Sequence, residues 1–455
     1  MLLACQSEID QQPLDFAGRW YAKAEKDSLT QHYLFDVRFQ DSQYVAFLDL
    51  PGEGLFRLPL DSVSSTRGND HQKVYFSQAG LELEFKGLLL GNPERLEGEI
   101  QRGGLQLPLN CFRTPQVPRS QLLDDELPYL EEEVVFYNQD QTALVGTLTI
   151  PSLGSASKAV VLVSGSGPQN RDEEILGHRP FAVLADHLTR QGVAVLRYDD
   201  RGYGRSGGVF RPATTMDYAE DALAAVHYLR DLSDLNVEQI GVVGHSEGGN
   251  IAPVVASWEE SVDFVILLAG PGVSNYEGYL VSLDTILRAY PETYDRDFPF
   301  FSKVYATMAQ LSDRGLLRDS LEQLFQGLSA EMSEEELSIY GGAKAYVASE
   351  VAAHSTEWYH HFLQFDVTPY LKKIEVPILA LNGDKDDSVI AWINLEGLEQ
   401  TLSTAGHTAF KTVELPGVNH FFQESDDSSI DKVYFNEVTF STEALRVISD
   451  WIEEL

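Results

Sequence analysis

From residue 130 onward the chain is organised around short unbroken apolar runs: "KAVVLVSG", "VAVLRYD", "QIGVVGH", "DFVILLAG" and "VPILALNG", each closing on or beside Gly or Asp. A strand with one face in water alternates apolar and polar residues. A run without that alternation has both faces buried, as in a parallel sheet held between two helical layers. Helical stretches lie between the runs, so the expected fold is α/β, a doubly wound and mostly parallel sheet. "EEVVFYN" and "ALVGTLTIP", ahead of the first run, read as an antiparallel opening pair. Ligand chemistry in such sheets gathers at the carboxyl ends of the strands, which directs attention to the loops after these runs.

The rest of the chain obeys other patterns. Residues 14–113 hold short alternating segments, "YLFDVRF", "YVAFLDL", "KVYFS", "LELEFKG", "LEGEI" and "LQLPLN", split by Gly, Asp and Asn. Alternation at period two with close turn signals predicts a small antiparallel β domain, a barrel or sandwich. Gly18-Arg19-Trp20 resembles the Gly-x-Trp opening of lipocalin-like barrels over three residues only, and Trp20 reads equally as a core aromatic. Residues 114–129, "TPQVPRSQLLDDELPY", carry three prolines and a charge run and read as a linker to the α/β domain of residues 130–455. Within that domain the alternation lapses over about 272–371, a helical, charged and aromatic block expected to be inserted between two strands as a lid. Ser333 and the glutamates after it are expected to cap a helix there.

Acidic residues outnumber basic ones 70 to 33, for a formal charge of −37. Such a field repels phosphate backbones and anionic membrane surfaces, which excludes nucleic acid as the expected partner. The chain has two cysteines, Cys5 and Cys111, too few for a disulfide framework or a cysteine-rich metal site. No apolar run approaches the roughly 18 residues that span a bilayer. Residues 1–13 read as a tail or signal remnant. "MLLACQSE" resembles the end of a bacterial lipoprotein signal, with Leu2-Leu3-Ala4 before a lipidated Cys5, yet lacks the charged n-region and most of the apolar h-region. The expectation is therefore a bacterial cytoplasmic protein as the chain stands, or a periplasmic or envelope lipoprotein if Cys5 belongs to a truncated lipobox. Nothing in the sequence selects an oligomeric state.

Gly244-His245-Ser246-Glu247-Gly248 satisfies Gly-x-Ser-x-Gly directly after the run "QIGVVG" and before a helix expected near Gly248. A sharp strand-to-helix turn strains the serine backbone, and only small flanking residues let strand and helix pack so closely. The same pattern recurs at Gly204-Arg205-Ser206-Gly207-Gly208, but inside a glycine-rich loop away from any strand-to-helix junction, so Ser206 is a loop residue and Ser246 the candidate nucleophile. A serine hydroxyl needs a base, and the base needs a carboxylate. Downstream, "VPILALNG" runs into Asp384, Asp386 and Asp387, and "KTVELPG" runs into Val418-Asn419-His420. Both are strand-end loops, and the three aspartates stay equivalent on spacing alone. His407 falls in a helix-to-strand connection, and His354, His360 and His361 fall in the insertion. For the oxyanion, the backbone N–H of Glu247 follows the nucleophile, and the loop "SGSGPQNRDE" supplies a second, assigned to Ser166. That loop lacks the Gly-Lys-Ser/Thr ending of a phosphate-binding P-loop.

With "SGSGPQNRDE", "YDDRGYGRS", "GHSEGG", "GDKDDSV" and "LPGVNHFFQ" in this order, residues 131–455 resemble bacterial serine esterases of the α/β-hydrolase superfamily, some of which carry an N-terminal β-rich accessory domain. The resemblance implies Ser246 as nucleophile, His420 as general base and Asp386 as the acid, through the pattern Gly-x-x-Asp-x-x-Val. Ser388 stands where family members often have Gln. It further implies hydrolysis of carboxylic esters of small or medium acyl chains through an acyl-enzyme, on a small-molecule substrate, with no cofactor or metal. A serine peptidase of the aminopeptidase or prolyl-oligopeptidase kind, or a non-catalytic binding protein on the same fold, are the alternatives. Tyr276, Tyr279, Tyr290, Trp358 and Tyr359 read either as an acyl pocket or as packing within the insertion.

Overall fold

The computed structural model describes residues 16–455 except 27–28, 41, 51–54, 68–71, 92–93, 103–104, 114–116, 118, 124–125, 153–155, 211, 341 and 426–428. Cys5, the tail at 1–13 and part of the 114–129 segment lie outside the described residues. The chain divides near Gln116 into two compact units.

The first unit is one nine-stranded antiparallel sheet: β1 (Gly18–Lys26), β2 (Leu29–Gln40), β3 (Gln43–Leu50), β4 (Leu55–Pro59), β5 (Ser62–Arg67), β6 (Gln72–Gln78), β7 (Leu83–Gly91), β8 (Glu94–Arg102) and β9 (Leu105–Arg113). The strand order β4-β3-β2-β1-β9-β8-β7-β6-β5 makes it one curled sheet, two meanders joined through β1 and β9, rather than the two sheets of a sandwich. Alternate residues face inward: Trp20, Ala22 and Ala24 of β1, Tyr33, Phe35 and Val37 of β2, Phe76 of β6 and Phe85 of β7 form the core. Phe35 and Phe76 stack with ring centroids 4.7 Å apart. β1 pairs with β9 only where Trp20–Ala22 face Arg113–Cys111. Pro108, which has no N–H to donate, lies on the part of β9 that β1 does not cover. The guanidinium of Arg113 lies over the Trp20 ring at 4.5 Å and donates to the carbonyl of Ala17 at 2.7 Å. Gly18, at φ +137°, leaves the space that the Arg113 side chain fills.

The second unit carries eight strands: β10 (Leu130–Tyr137), β11 (Ala143–Ile150), β12 (Lys158–Val163), β13 (Val193–Tyr198), β14 (Gln239–His245), β15 (Phe264–Leu268), β16 (Ile378–Gly383) and β17 (Phe410–Leu415), in the order β10-β11-β13-β12-β14-β15-β16-β17. β11 pairs antiparallel with both its neighbours, and from β13 to β17 every pairing is parallel. The unbroken apolar runs have a direct cause. Val161 and Val163 of β12 enter the core beneath α2 (Thr215–Asp231) and α3 (Gly248–Trp258), while Val160 and Leu162 enter the core on the opposite face with Phe181 and Leu184 of α1 (Pro180–Arg190). β15 divides likewise, Val265 and Leu267 to one side, Phe264, Ile266 and Leu268 to the other.

From β12 the chain crosses to β13 on one side and later to β14 on the other. The strand order therefore reverses at β12, which makes the carboxyl ends of β12 and β14 the switch point at which such sheets hold their ligands. Between β15 and β16 stand α4 (Asn275–Leu287), α5 (Pro291–Gln310), α6 (Arg314–Glu331), α7 (Glu334–Ile339), α8 (Ala343–His354), α9 (Glu357–Gln364) and α10 (Thr368–Leu371). The Ser333 hydroxyl accepts from the Glu336 N–H at 3.1 Å, and the Glu336 carboxylate accepts from the Ser333 N–H at 2.7 Å, a reciprocal cap. α11 (Ala391–Thr404), α12 (Ile430–Phe435) and α13 (Thr442–Glu454) complete the unit. No helix of the described residues is long and apolar enough to cross a membrane.

Candidate active site

Ser246 sits between the end of β14 and the start of α3 at φ +53°, the left-handed region that a β-substituted residue enters only when its surroundings impose it. The turn is held by the Ser246 N–H donating to the Leu268 carbonyl at 2.9 Å and the Gly249 N–H donating to the Ser246 carbonyl at 2.8 Å. Its glycines are steric necessities. A methyl group at Gly244 would overlap the carbonyl of Gly248, and one at Gly248 would overlap the carbonyl of Val163 on the neighbouring strand. Ser206 has a different place: its hydroxyl donates to the Asp199 carbonyl at 2.6 Å and accepts from the Val145 N–H at 2.9 Å, so it staples a loop.

The loop after β12 runs beside the nucleophile turn. A methyl at Gly165 would lie 3.1 Å from Ser246 Cβ. Among the described residues neither the Ser166 N–H nor the Glu247 N–H meets an acceptor. Two unpaired amides at the start of a helix and in an adjoining loop are a receptor for negative charge. The loop itself is pinned from behind by Asp200, which accepts from the Ser164 hydroxyl at 2.8 Å and the Gln169 N–H at 2.9 Å. Complete burial pushes the Asp200 carboxyl well above the usual carboxylate range.

His420, in the turn after β17, places Nδ1 2.8 Å from Oδ2 of Asp386, in the turn after β16; both side chains are buried. Of the three clustered aspartates, Asp386 is the one turned to the histidine, and its other oxygen accepts the N–H groups of Ser388 and Val389 at 2.9 and 2.8 Å. Asp384 is exposed, accepts from the Gly417 N–H at 2.6 Å and pairs with Lys385 at 3.0 Å. The hydrogen bond to Asp386 engages Nδ1 of His420 and fixes the orientation of its ring. His407 instead donates to the Val376 carbonyl, and His354, His360 and His361 lie on α8 and α9.

Two features have no counterpart in the motif reading. His245, immediately before Ser246, has Nδ1 2.8 Å from Oε1 of Glu173 and Nε2 2.9 Å from the backbone carbonyl of His420. The Glu247 side chain is buried and accepts from the Thr215 hydroxyl at 2.7 Å, from the Trp358 indole N–H and from the Ser166 hydroxyl. Burial pushes this carboxyl above its ordinary value, against the three donors, which pull it down. Both residues occupy the variable positions of Gly-x-Ser-x-Gly, and only polar residues standing where any residue fits the turn could have drawn attention to them. Tyr279 packs with Tyr305, Tyr359 and Phe362, and Trp358 stacks on Phe362, whereas Tyr290 is exposed. Among the described residues no three His, Cys, Asp or Glu side chains are grouped as metal ligands would be.

Comparison with known proteins gives this arrangement a lineage. Esterase EstD of Thermotoga maritima is 35% identical over 148 residues, 32% of this chain and 35% of that protein. The bifunctional esterase/perhydrolase DCH of Acinetobacter calcoaceticus is 27% identical over 255 residues, 53% of this chain and 80% of that protein. The solved structure of the Pyrococcus furiosus esterase Pf2001 superposes with a TM-score of 0.42 at 17% identity, over 74% of this chain and 98% of that one. The profile of the alpha/beta hydrolase family matches residues 160–430, from β12 through the His420 turn and over more than half the chain. By that match and by its strand order, the chain belongs to the alpha/beta hydrolase family.

Proposed function

We propose that the chain is a serine hydrolase that cleaves carboxylic esters of small or medium acyl chains, with Ser246 as nucleophile, His420 as general base, Asp386 as its orienting acid, and the amides of Ser166 and Glu247 as the oxyanion receptor. The observation that carries this reading is the strained Ser246 backbone beside two unpaired amides, with the Asp386-bound His420 on the adjoining strand-end loop. The names of the relatives, an esterase and an esterase/perhydrolase, support an ester as the substrate class.

In the acylation step Ser246 Oγ attacks the ester carbonyl carbon while its proton passes to His420 Nε2, and Asp386 stabilises the imidazolium through Nδ1–H. The carbonyl oxygen, now negative, accepts the two amide N–H groups. Collapse breaks the bond to the alcohol oxygen, which leaves with the proton from Nε2. Water then attacks the acyl-Ser246, gives its proton to the same nitrogen, and the acid departs as Ser246 recovers its hydrogen. Nothing in the cycle requires a cofactor. The helices from Asn275 to Leu371 serve as the lid, with Trp358, which donates to Glu247, and the Phe362 and Tyr279 rings packed behind it offered to the acyl chain.

The test is Ser246→Ala together with a fluorophosphonate probe. Wild-type protein is expected to label at Ser246 and to hydrolyse short-chain p-nitrophenyl esters, and the variant to do neither while keeping its fold. Activity retained in Ser246→Ala, or turnover of aminoacyl amides in preference to esters, overturns the assignment.

A further inference from the structure

We propose that His245 is held as an imidazolium in a buried ion pair with Glu173, and that this pair positions the oxyanion loop and the His420 loop around Ser246. The proposal rests on Ser246 and His420 having the roles given above.

Donor counting carries the argument. A neutral imidazole has one N–H and one lone pair, yet both ring nitrogens of His245 face oxygens. Nε2 lies 2.9 Å from the His420 backbone carbonyl, which can only accept, so Nε2 carries hydrogen. Nδ1 lies 2.8 Å from Glu173 Oε1, and the same oxygen takes the Gly165 N–H at 2.8 Å. Two donors converging on one oxygen suit a carboxylate rather than a carboxylic acid, which would have to donate to Nδ1 while accepting from Gly165. Both side chains are 8% exposed, so water cannot take over either bond. Burial by itself would strip the proton from His245, but the Glu173 carboxylate, aided by the His420 carbonyl and the charge of Asp386, outweighs it and holds the imidazolium above the ordinary histidine range.

The placement of the three anchor points gives the pair its work. Gly165 precedes Ser166, whose amide is one oxyanion donor. His245 precedes Ser246. The His420 carbonyl belongs to the base itself, and the two imidazole rings lie 5.0 Å apart by centroid. One charged bridge thus joins the loops after β12, β14 and β17, and the groups that titrate or carry charge around it are Glu173, His420 and Asp386, with Asp200, whose carboxyl feels the Glu173 charge. Glu173 itself sits at φ +51°, a conformation that a glutamate keeps only where several contacts hold it. His245 and Glu173 are positioning residues: they touch no reacting atom.

The experiment is nitrogen NMR of the histidine-labelled wild-type protein at about pH 8, well above the ordinary histidine value of about 6.5, read beside the kinetics of His245→Gln and Glu173→Gln. The expected spectrum contains one imidazole with both ring nitrogens protonated. Its signal is absent in His245→Gln and shifted in Glu173→Gln, which also assigns the ring should the first variant not fold. Each variant is expected to lower kcat by about 10- to 100-fold with KM within about threefold, and the double variant to be no worse than the weaker single one, as for residues acting as a unit. A singly protonated His245, or kcat within about twofold of wild type in folded His245→Gln, overturns the proposal. Fluorophosphonate labelling separates the two readings. Wild-type protein unlabelled at Ser246 refutes the hydrolase assignment, whereas a labelled protein with a neutral His245 refutes the ion pair alone.

Discussion

The indole N–H of Trp358 lies 3.1 Å from Oε2 and 3.2 Å from Oε1 of Glu247, and so ties α9 of the insertion to the residue that follows Ser246. The same carboxylate holds Thr215 of α2 and the Ser166 hydroxyl, so one buried acid collects donors from three segments. Trp358→Phe keeps a stacking ring on Phe362 but removes the N–H together with part of the indole volume. A buried carboxylate losing one donor costs about 1–3 kcal/mol. Chemical denaturation is expected to show a loss in that range, together with slower ester hydrolysis, because the Glu247 amide moves with its side chain. Unchanged stability would mean that the hydrogen bond from the indole to Glu247 contributes nothing to the fold.

The backbone of Ser246 leads to a second expectation. At φ +53° a serine stores strain that glycine does not, of order 1–3 kcal/mol for such outliers. Ser246→Gly is therefore expected to unfold at higher temperature than wild type, while Ser246→Ala, which keeps the strained Cβ, stays near it. Both are expected to be inactive. A glycine variant no more stable than the alanine variant would show that the turn relaxes without cost.

These two cases also mark how far the sequence reading reached. β12, β14, β15 and β16 were legible because a strand buried on both faces has no polar alternation to confuse it with a helix of this length. β5, "SVSSTR", was not, since an edge strand with one apolar residue gives no period to detect. Within the insertion only the Ser333 cap was a discrete signal; "SEEELSIYGGAKAYVASEVAA" in fact makes two helices, parted before Gly342 at φ +106°. At the site, Gly-x-Ser-x-Gly was readable because its glycines answer a local steric demand. The choice of Asp386 over Asp384 and Asp387 came from family resemblance, since which carboxylate turns toward His420 depends on a loop 34 residues away. The His245 to Glu173 bond spans 72 residues and joins two positions with no shared periodicity, so no local pattern announces it.

In the first unit, Arg113 combines a cation–π contact with Trp20 and a hydrogen bond to Ala17 at the seam between β1 and β9. Arg113→Met keeps an unbranched apolar stem and removes both polar contributions. Each is worth about 0.5–2 kcal/mol when shielded from water, so the unit is expected to lose about 2 kcal/mol, with the fluorescence of Trp20 reporting the transition. Gly18→Ala is expected to be as damaging by the opposite route, because the added methyl meets the guanidinium at a backbone φ of +137°. If both substitutions leave the unfolding midpoint in place, the seam is held by the aromatic core alone.

Glu350 offers a pH-dependent test with a definite sign. It lies on α8 with its side chain 20% exposed and Oε2 3.5 Å from Nδ1 of His354, and burial pushes its carboxyl up to about 7 from the ordinary 4.5. A carboxyl that holds its proton longer in the folded state than in the unfolded one favours folding less as pH rises. Its cost is absent below about 4.5, grows through the interval to about 7 and is constant above, reaching about 3 kcal/mol for a shift of that size. Burial also lowers the neighbouring His354, so near neutral pH it is uncharged and does not offset the cost of the Glu350 carboxylate. Glu350→Gln, uncharged at every pH, is therefore expected to match wild type at pH 4 and to exceed it increasingly from pH 5 to pH 7, with a constant advantage at pH 8. Denaturation midpoints of the two proteins across that range measure the difference directly. A gap that does not change with pH would place the Glu350 carboxyl in ordinary solvent contact.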